Sequence, residues 1–252
     1  MLMFILKLFV LLLLLFIAYI IFTFICTLFI DVNKSYKTEN RFYRFLLNSW
    51  TWIGIKLCRI KIKTTIHDEL PENTRVVVVG NHRSNYDPII TWYILKNYQL
   101  AYISKPSNFK IPLFGKIVRR CCFMKIDRLS PRNSLKTIEE AIELINNDVA
   151  SIGVYPEGTR SKTGELLPFH NCVFKIAQRS ESPLVVVTLN GTENIHKNTP
   201  FRKTVIEANI NVIKYEDIKD LQTCDIGESV RKIISYNLNE EVSQNQNTLC
   251  ES

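Results

Sequence analysis

Hydrophobic residues are spread unevenly along this chain. Residues 8–30 are apolar apart from Tyr19, Thr23, Cys26 and Thr27. As a helix this stretch would measure about 34 Å, enough to cross a hydrocarbon core of about 30 Å, so the pattern predicts an N-terminal membrane helix. A cleaved signal peptide competes with that reading, but the run is long for one, and residues 22–29 lack the small residues a cleavage site requires. Hydropathy does not fix tilt, so a helix dipping into one leaflet fits as well as one that spans. Residues 42–63 then interleave Tyr43, Phe45, Trp50 and Trp52 with Arg44, Lys56, Arg59, Lys61 and Lys63. Rings mixed with cations suit the headgroup region of a bilayer; they also suit an amphipathic helix packed on a domain. The position directly after a membrane helix favours the interface.

Beyond a linker at 68–74, β-branched runs alternate with helical patterns. Strands are predicted at 75–80, 100–104, 122–126, 151–155, 184–189 and 205–212, and helices at 88–96, 131–146 and 172–179. In the second helix Leu135, Ile138, Ile142 and Ile145 recur at helical spacing behind Ser130 as cap and Pro131 in the first turn. Such alternation implies an α/β fold, a layered sheet flanked by helices. The expected organisation is a membrane helix over 1–34, an interfacial segment over 35–66, an α/β domain over 67–235 and a polar, fraying tail over 236–252.

With 252 residues and 46% hydrophobic content, the chain has material for one sizeable core beside the membrane segment. Lys7 precedes the span and Lys34, Lys37, Arg41 and Arg44 follow it. This bias predicts a membrane protein whose catalytic domain lies on the cytoplasmic face. Seven cysteines without paired spacing agree with a reducing compartment, and the four histidines form no ligand-spaced cluster, so no metal is expected. The glycines form no phosphate-cradling motif, which argues against nucleotide chemistry. Between 101 and 136 nine bases, Lys105 and Arg128 among them, face Asp127 alone, a local excess equal to the whole net charge of +8. After a membrane helix, such a patch points to anionic lipid or an acidic acyl carrier rather than to nucleic acid.

Candidate chemistry gathers in Asn81-His82-Arg83-Ser84-Asn85-Tyr86-Asp87, directly after the run Val76-Val77-Val78-Val79-Gly80. Five positions let a carboxylate reach back to an imidazole, fix its tautomer and keep it basic. Equally, Asp87 stands before Pro88 as an N-cap would, with His82 a polar loop residue. A second cluster, Tyr155-Pro156-Glu157-Gly158-Thr159-Arg160-Ser161, also begins at a strand end and belongs to the same rim of the sheet. Arg160 offers a forked donor for phosphate, Gly158 close backbone approach and Thr159 a hydroxyl.

These two segments resemble the first and third motifs of the glycerolipid acyltransferases related to lysophosphatidate acyltransferase, with the His-x4-Asp pair on His82 and Asp87 and the usual opening Phe replaced by Tyr155. Lys105, Pro112, Phe114, Gly115 and Ile126-Asp127-Arg128 match the second motif more loosely, and Pro183-Leu184-Val185-Val186-Val187 looks like the fourth. Val186 stands where a second proline is often seen, and the glycine usual after the third motif is replaced near Cys172. These departures bear on acyl-chain or acceptor preference. The resemblance implies catalysis by His82 and Asp87 and acceptor binding by Lys105, Glu157, Gly158, Thr159 and Arg160. Backbone amides near the start of the Pro88 helix are its candidate oxyanion donors. It implies acyl transfer from acyl-CoA or acyl carrier protein to lysophosphatidate, with no cofactor. Glycerol-3-phosphate and other lysophospholipids are alternative acceptors. A lipid ester or thioester hydrolase using Ser84 or water is a rival, though no GxSxG elbow is present. A non-catalytic lipid-binding module is another, and it leaves the His-Asp pair without a purpose.

Overall fold

The computed structural model describes residues 1–127 and 130–250; Arg128, of the basic segment and the second motif, and the last two residues of the predicted tail lie outside the described residues. Seven strands form one sheet: β1 (Ile60–Ile66), β2 (Val77–Gly80), β3 (Leu100–Ser104), β4 (Met124–Lys125), β5 (Ser151–Val154), β6 (Leu184–Asn190) and β7 (Thr204–Ile213). Their spatial order is β1-β7-β6-β2-β5-β3-β4. All neighbours are parallel except β6 and β7, so β1 and β7 run against the other five. The apolar runs Val77–Gly80, Ser151–Val154 and Leu184–Asn190 are buried nearly throughout, as strands covered on both faces must be. β7 alternates in its first half between buried and more exposed positions, and β1 closes the edge with its lysines outward.

The helices are α1 (Leu2–Thr27), α2 (Arg41–Leu57), α3 (Asp87–Ile94), α4 (Phe114–Arg120), α5 (Pro131–Asn146), α6 (Lys175–Arg179), α7 (Ile195–Asn198), α8 (Tyr215–Ile218) and α9 (Thr223–Cys250). The predicted layered α/β architecture is borne out, with several differences in detail. β1 belongs to the sheet, so a boundary at 66 cuts an edge strand from its neighbour. The strand predicted at 122–126 shrinks to Met124–Lys125, preceded by Cys122 with φ 63°. In α5, Ser130 accepts from Asn133 N as a cap, but Leu135 is exposed, and Ala141 and Leu144 join Ile138, Ile142 and Ile145 in the core. Residues 236–250 continue α9 instead of fraying at once. Ile226, Val230 and Ile234 bury one face of that helix, and Asn237 Nδ2 donates to Thr188 Oγ1 and Asn211 Oδ1 at 3.1 and 2.9 Å.

α1 is long and apolar enough to cross a membrane. Residues 2–15 are exposed along its whole length, whereas the part from Phe16 leans on α2. Trp50 Nε1 donates to Thr23 Oγ1 (3.3 Å), Tyr43 Oη to Cys26 O (2.8 Å), and Tyr19 Oη bonds Ser49 Oγ. The polar interruptions in the apolar run are thus where α2 docks. Part of the basic segment also turns inward. Arg119 donates to Lys34 O and Phe123 O, each at 2.6 Å, Arg120 to Thr38 O at 3.4 Å and Lys125 to Asn33 Oδ1 at 3.3 Å, fastening the stretch between α1 and α2. Arg44 is buried against the Trp92 ring and donates to Leu100 O.

Candidate active site

β6, β2 and β5 are adjacent and parallel, with Gly80 opposite Val187 and Val79 opposite Val154. The loops that leave their carboxyl ends therefore emerge on one rim, the usual place for ligand sites in such sheets. β2 ends at Gly80, where no side chain fits: a Cβ would lie 2.5 Å from Val187 O. Asn81 then clamps the strand end to β6, its amide giving to Leu189 O and accepting from Leu189 N, both at 2.8 Å.

His82 Nδ1 lies 2.9 Å from Asp87 Oδ2. The same oxygen accepts Arg83 N (2.7 Å) and Ser84 N (2.6 Å), and Oδ1 accepts the Thr192 hydroxyl. Asp87 is the first residue of α3, yet it takes none of that helix's own first-turn amides, so the N-cap reading of Asp87 does not hold. With Nδ1 committed to a carboxylate, the neutral ring carries its proton there and leaves the Nε2 lone pair free. The His82 side chain is 18% exposed and that of Asp87 1%, so the dyad opens to the rim through the imidazole. Tyr155 stacks on the His82 ring (centroids 4.5 Å, 24°), and its hydroxyl meets Thr91 Oγ1 at 3.3 Å. Burial holds the Tyr155 hydroxyl well above its ordinary range, and it stays protonated.

The expected substrate-binding residues divide. Glu157 is buried and braces the scaffold: Oε1 accepts His82 N (2.7 Å) and Oε2 accepts Leu167 N (2.9 Å). Burial pushes its carboxyl upward in pKa, against the two amide bonds that favour the anion. Gly158 adopts φ 66° in the turn, where a Cβ would strike the His170 ring at 2.9 Å. Thr159 and Arg160 line a pocket of about 490 Å³ beside the dyad. Lys105 is exposed just past β3, on the same rim but one strand beyond β5, and does not line that pocket. The amides around the start of α3 are engaged, those of Arg83 and Ser84 by Asp87, that of Tyr86 by Ser84 Oγ and that of Asp87 by Ser84 O. Pro88 has no N–H, so of the amides at this helix start those of Asn85 and Ile89 are the ones left for the expected oxyanion donors. Ser84 is buried, its hydroxyl oxygen accepts Tyr86 N at 3.2 Å, and no hydrogen bond joins it to the His82 ring.

Several pocket residues were not singled out from the sequence. Arg83, Lys162, His196 and Lys197 join Arg160 as bases of the wall, with Glu193 as its acid. Arg83 is held by Gly164 O (2.6 Å) and Asn190 Oδ1 (3.3 Å). Thr192, which supports Asp87, and Glu193 follow the end of β6. The available signal was Gly191-Thr192 at a strand's carboxyl end on the rim already identified.

A parallel rim here presents a His-Asp dyad beside a cationic pocket, an arrangement with a general base and a wall that suits anions. A family model described as Acyltransferase matches residues 61–190, and the chain belongs to that family. It is 34% identical over 156 residues to a 1-acyl-sn-glycerol-3-phosphate acyltransferase of Cocos nucifera, covering 62% of this chain and 49% of that protein. To the protein of the same name from Haemophilus influenzae it is 29% identical over 145 residues, 57% of this chain and 60% of the other. The chain thus spans about half to three fifths of the length of these relatives. Among solved structures, the 1-acyl-sn-glycerophosphate acyltransferase PlsC of Thermotoga maritima shares the fold, with TM-score 0.62 at 20% identity over 78% of this chain and 79% of that one.

Proposed function

We propose that this protein transfers a fatty acyl group from an acyl thioester to the free hydroxyl of lysophosphatidate, giving phosphatidate at the cytoplasmic face of a membrane. The observation that carries this reading is a dyad with an open Nε2 next to a pocket in which Arg83, Arg160, Lys162 and Lys197 gather. The relatives' shared name supports the acceptor, and α1 supports the membrane.

In this mechanism Nε2 of His82 takes the proton of the hydroxyl as its oxygen attacks the thioester carbonyl. Asp87 orients the ring and stabilises the imidazolium. The new C–O bond forms, the C–S bond breaks, and the imidazolium returns its proton to the departing thiolate. Arg160 and the neighbouring bases hold the acceptor's phosphate, Thr159 adds a hydroxyl, and Lys105 contributes charge from farther along the rim. Glu157 and Gly158 act through the backbone they fix. The donor is acyl-CoA or acyl carrier protein.

Membranes containing the protein, given lysophosphatidate, glycerol-3-phosphate and other lysophospholipids with each donor, should yield phosphatidate as the main product by mass. His82→Ala should lower that rate by about two to four orders of magnitude. Near-normal turnover by a folded His82→Ala protein, or fatty acid release without need of an acceptor, would refute the proposal.

A further inference from the structure

The free half of α1 projects past one particular face of the domain. α2 runs antiparallel to α1: Tyr43 bonds Cys26 O, Trp50 bonds Thr23 Oγ1, and the Trp50 ring packs on Tyr19 and Phe16. The carboxyl end of α2 therefore points the way that the exposed residues 2–15 project. At that end Lys56, Leu57 and Arg59 are exposed, and Arg59 Nη1 donates to Phe201 O at 2.9 Å. Phe201 is 85% exposed in the turn between α7 and β7, followed by the exposed bases Arg202 and Lys203. Where β7 begins, its parallel pairing with β1 sets Lys61 opposite Val205, both of them exposed. Two segments far apart in sequence, 41–66 and 194–206, thus meet, and neither contains an acid. Glu207 follows, but it pairs with Lys63 farther along the strands. A bare ring among uncompensated cations gains nothing in water and matches the headgroup layer of an anionic bilayer.

We propose that the turn at 199–203 is a membrane-contact element. Phe201 inserts among the lipids of an anionic bilayer, while Arg59, Arg202 and Lys203, flanked by Lys56 and Lys61, hold lipid phosphates. This rests on the reading of α1 as embedded in that bilayer and not on the proposed reaction. Two observations make the occupant a lipid surface. The face carries uncompensated positive charge, and it continues the exposed side of α2, on which Phe42, Phe45, Trp52 and Lys56 share one helical face. The contact also bears on the site. Arg202 N donates to Asn198 O at 2.7 Å, and the same short α7 contributes His196 and Lys197 to the cationic pocket. The inserted turn holds that wall of the pocket at headgroup level, so a phosphate-bearing lipid reaches it without leaving the membrane surface.

The full chain reconstituted in vesicles tests this without turnover. Phe201→Trp, combined with Trp50→Phe, Trp52→Phe and Trp92→Phe, leaves one tryptophan, at the tip of the turn. Phosphatidylglycerol brominated in the upper acyl chain should quench its emission about twofold or more, and phosphatidylcholine with the same bromines severalfold less. Adding Arg202→Glu and Lys203→Glu should abolish that preference. If the tryptophan variant does not fold, trypsin cleavage after Arg202 and Lys203 in the unaltered chain reads the same contact; anionic vesicles should slow it about tenfold relative to neutral ones. Equal quenching in neutral and anionic vesicles would overturn the role of the bases. Flotation separates the two readings: a chain that does not float with vesicles refutes the embedding of α1 and the contact of the turn together. A chain that floats with the introduced tryptophan unquenched refutes the turn alone, and shielding of that tryptophan from iodide would then assign the turn to a second copy of the chain. Failure to acylate any acceptor would refute the proposed reaction and leave the quenching result standing.

Discussion

Asp87 receives four donors from three directions, and the one contributed by Thr192 comes from 105 residues away in sequence. His82 and Asp87 were legible because one heptapeptide contains both and the spacing itself suggests the contact. Thr192 was not, because only the parallel pairing of β2 with β6 brings the two strand ends together. Its hydroxyl fixes the carboxylate's second oxygen in a site with no solvent to replace it. Thr192→Val, nearly the same in volume, should leave that oxygen unpaired and misorient the imidazole, lowering kcat about tenfold or more. The acceptor's KM should change little, because Thr192 does not line the cationic pocket, and Thr192→Ser should restore most of the rate. Steady-state kinetics of the three proteins would decide it; a valine variant with unchanged kcat would remove Thr192 from the catalytic support.

At the scale of elements, the central strands were readable as short apolar runs, and their carboxyl ends located the rim. The edge strand β1 was not. Its Ile60, Lys61, Ile62 and Lys63 alternate because one face looks outward, and after an aromatic-rich helix the lysines read as a continuation of an interfacial segment. α4 was hidden in the same way, inside a segment whose charge drew attention away from its period, and several of its bases serve as internal fasteners. The wall of the pocket likewise rests on an element with no motif. Arg231 of α9 donates to Leu166 O at 3.2 Å and to Leu167 O, and lies over the Phe169 ring at 4.9 Å. It thereby ties down the loop that carries Lys162, Thr163 and Gly164 over the pocket, whose other fastenings are Glu157, Arg83 and the Ser161 N bond to His82 O. Arg231→Ala should loosen that wall, raising the acceptor's KM about tenfold with a smaller change in kcat. Equal loss in kcat and no change in KM would mean that α9 does not position the pocket.

For the molecule as a whole, the length of the apolar run announced a membrane helix, but the arrangement of α2 beside it had no sequence signal. Trp50 packs against Phe16 and Tyr19, and Phe42 against Phe22, so α2 runs alongside the second half of α1. That half lies within residues 8–30, the stretch whose hydropathy matches hydrocarbon. Whatever depth it occupies, α2 shares it. Elsewhere α2 buries Arg44, Leu46, Leu47 and Ile55, while Phe42, Phe45 and Trp52 remain exposed in an i, i+3, i+10 row. An exposed aromatic row at that position suits contact with lipid, and on the proposed function such contact is expected to hold the domain at the membrane surface. With Trp52 as the sole tryptophan, after Trp50→Phe and Trp92→Phe, lipids brominated in the upper acyl chain should quench its emission strongly in reconstituted vesicles. Phe45→Glu together with Trp52→Glu should weaken vesicle retention and slow acylation of vesicle-borne acceptor more than of acceptor in detergent micelles. A Trp52 unquenched at every bromine depth would place α2 outside the bilayer and leave α1 as the described helix that holds the domain there.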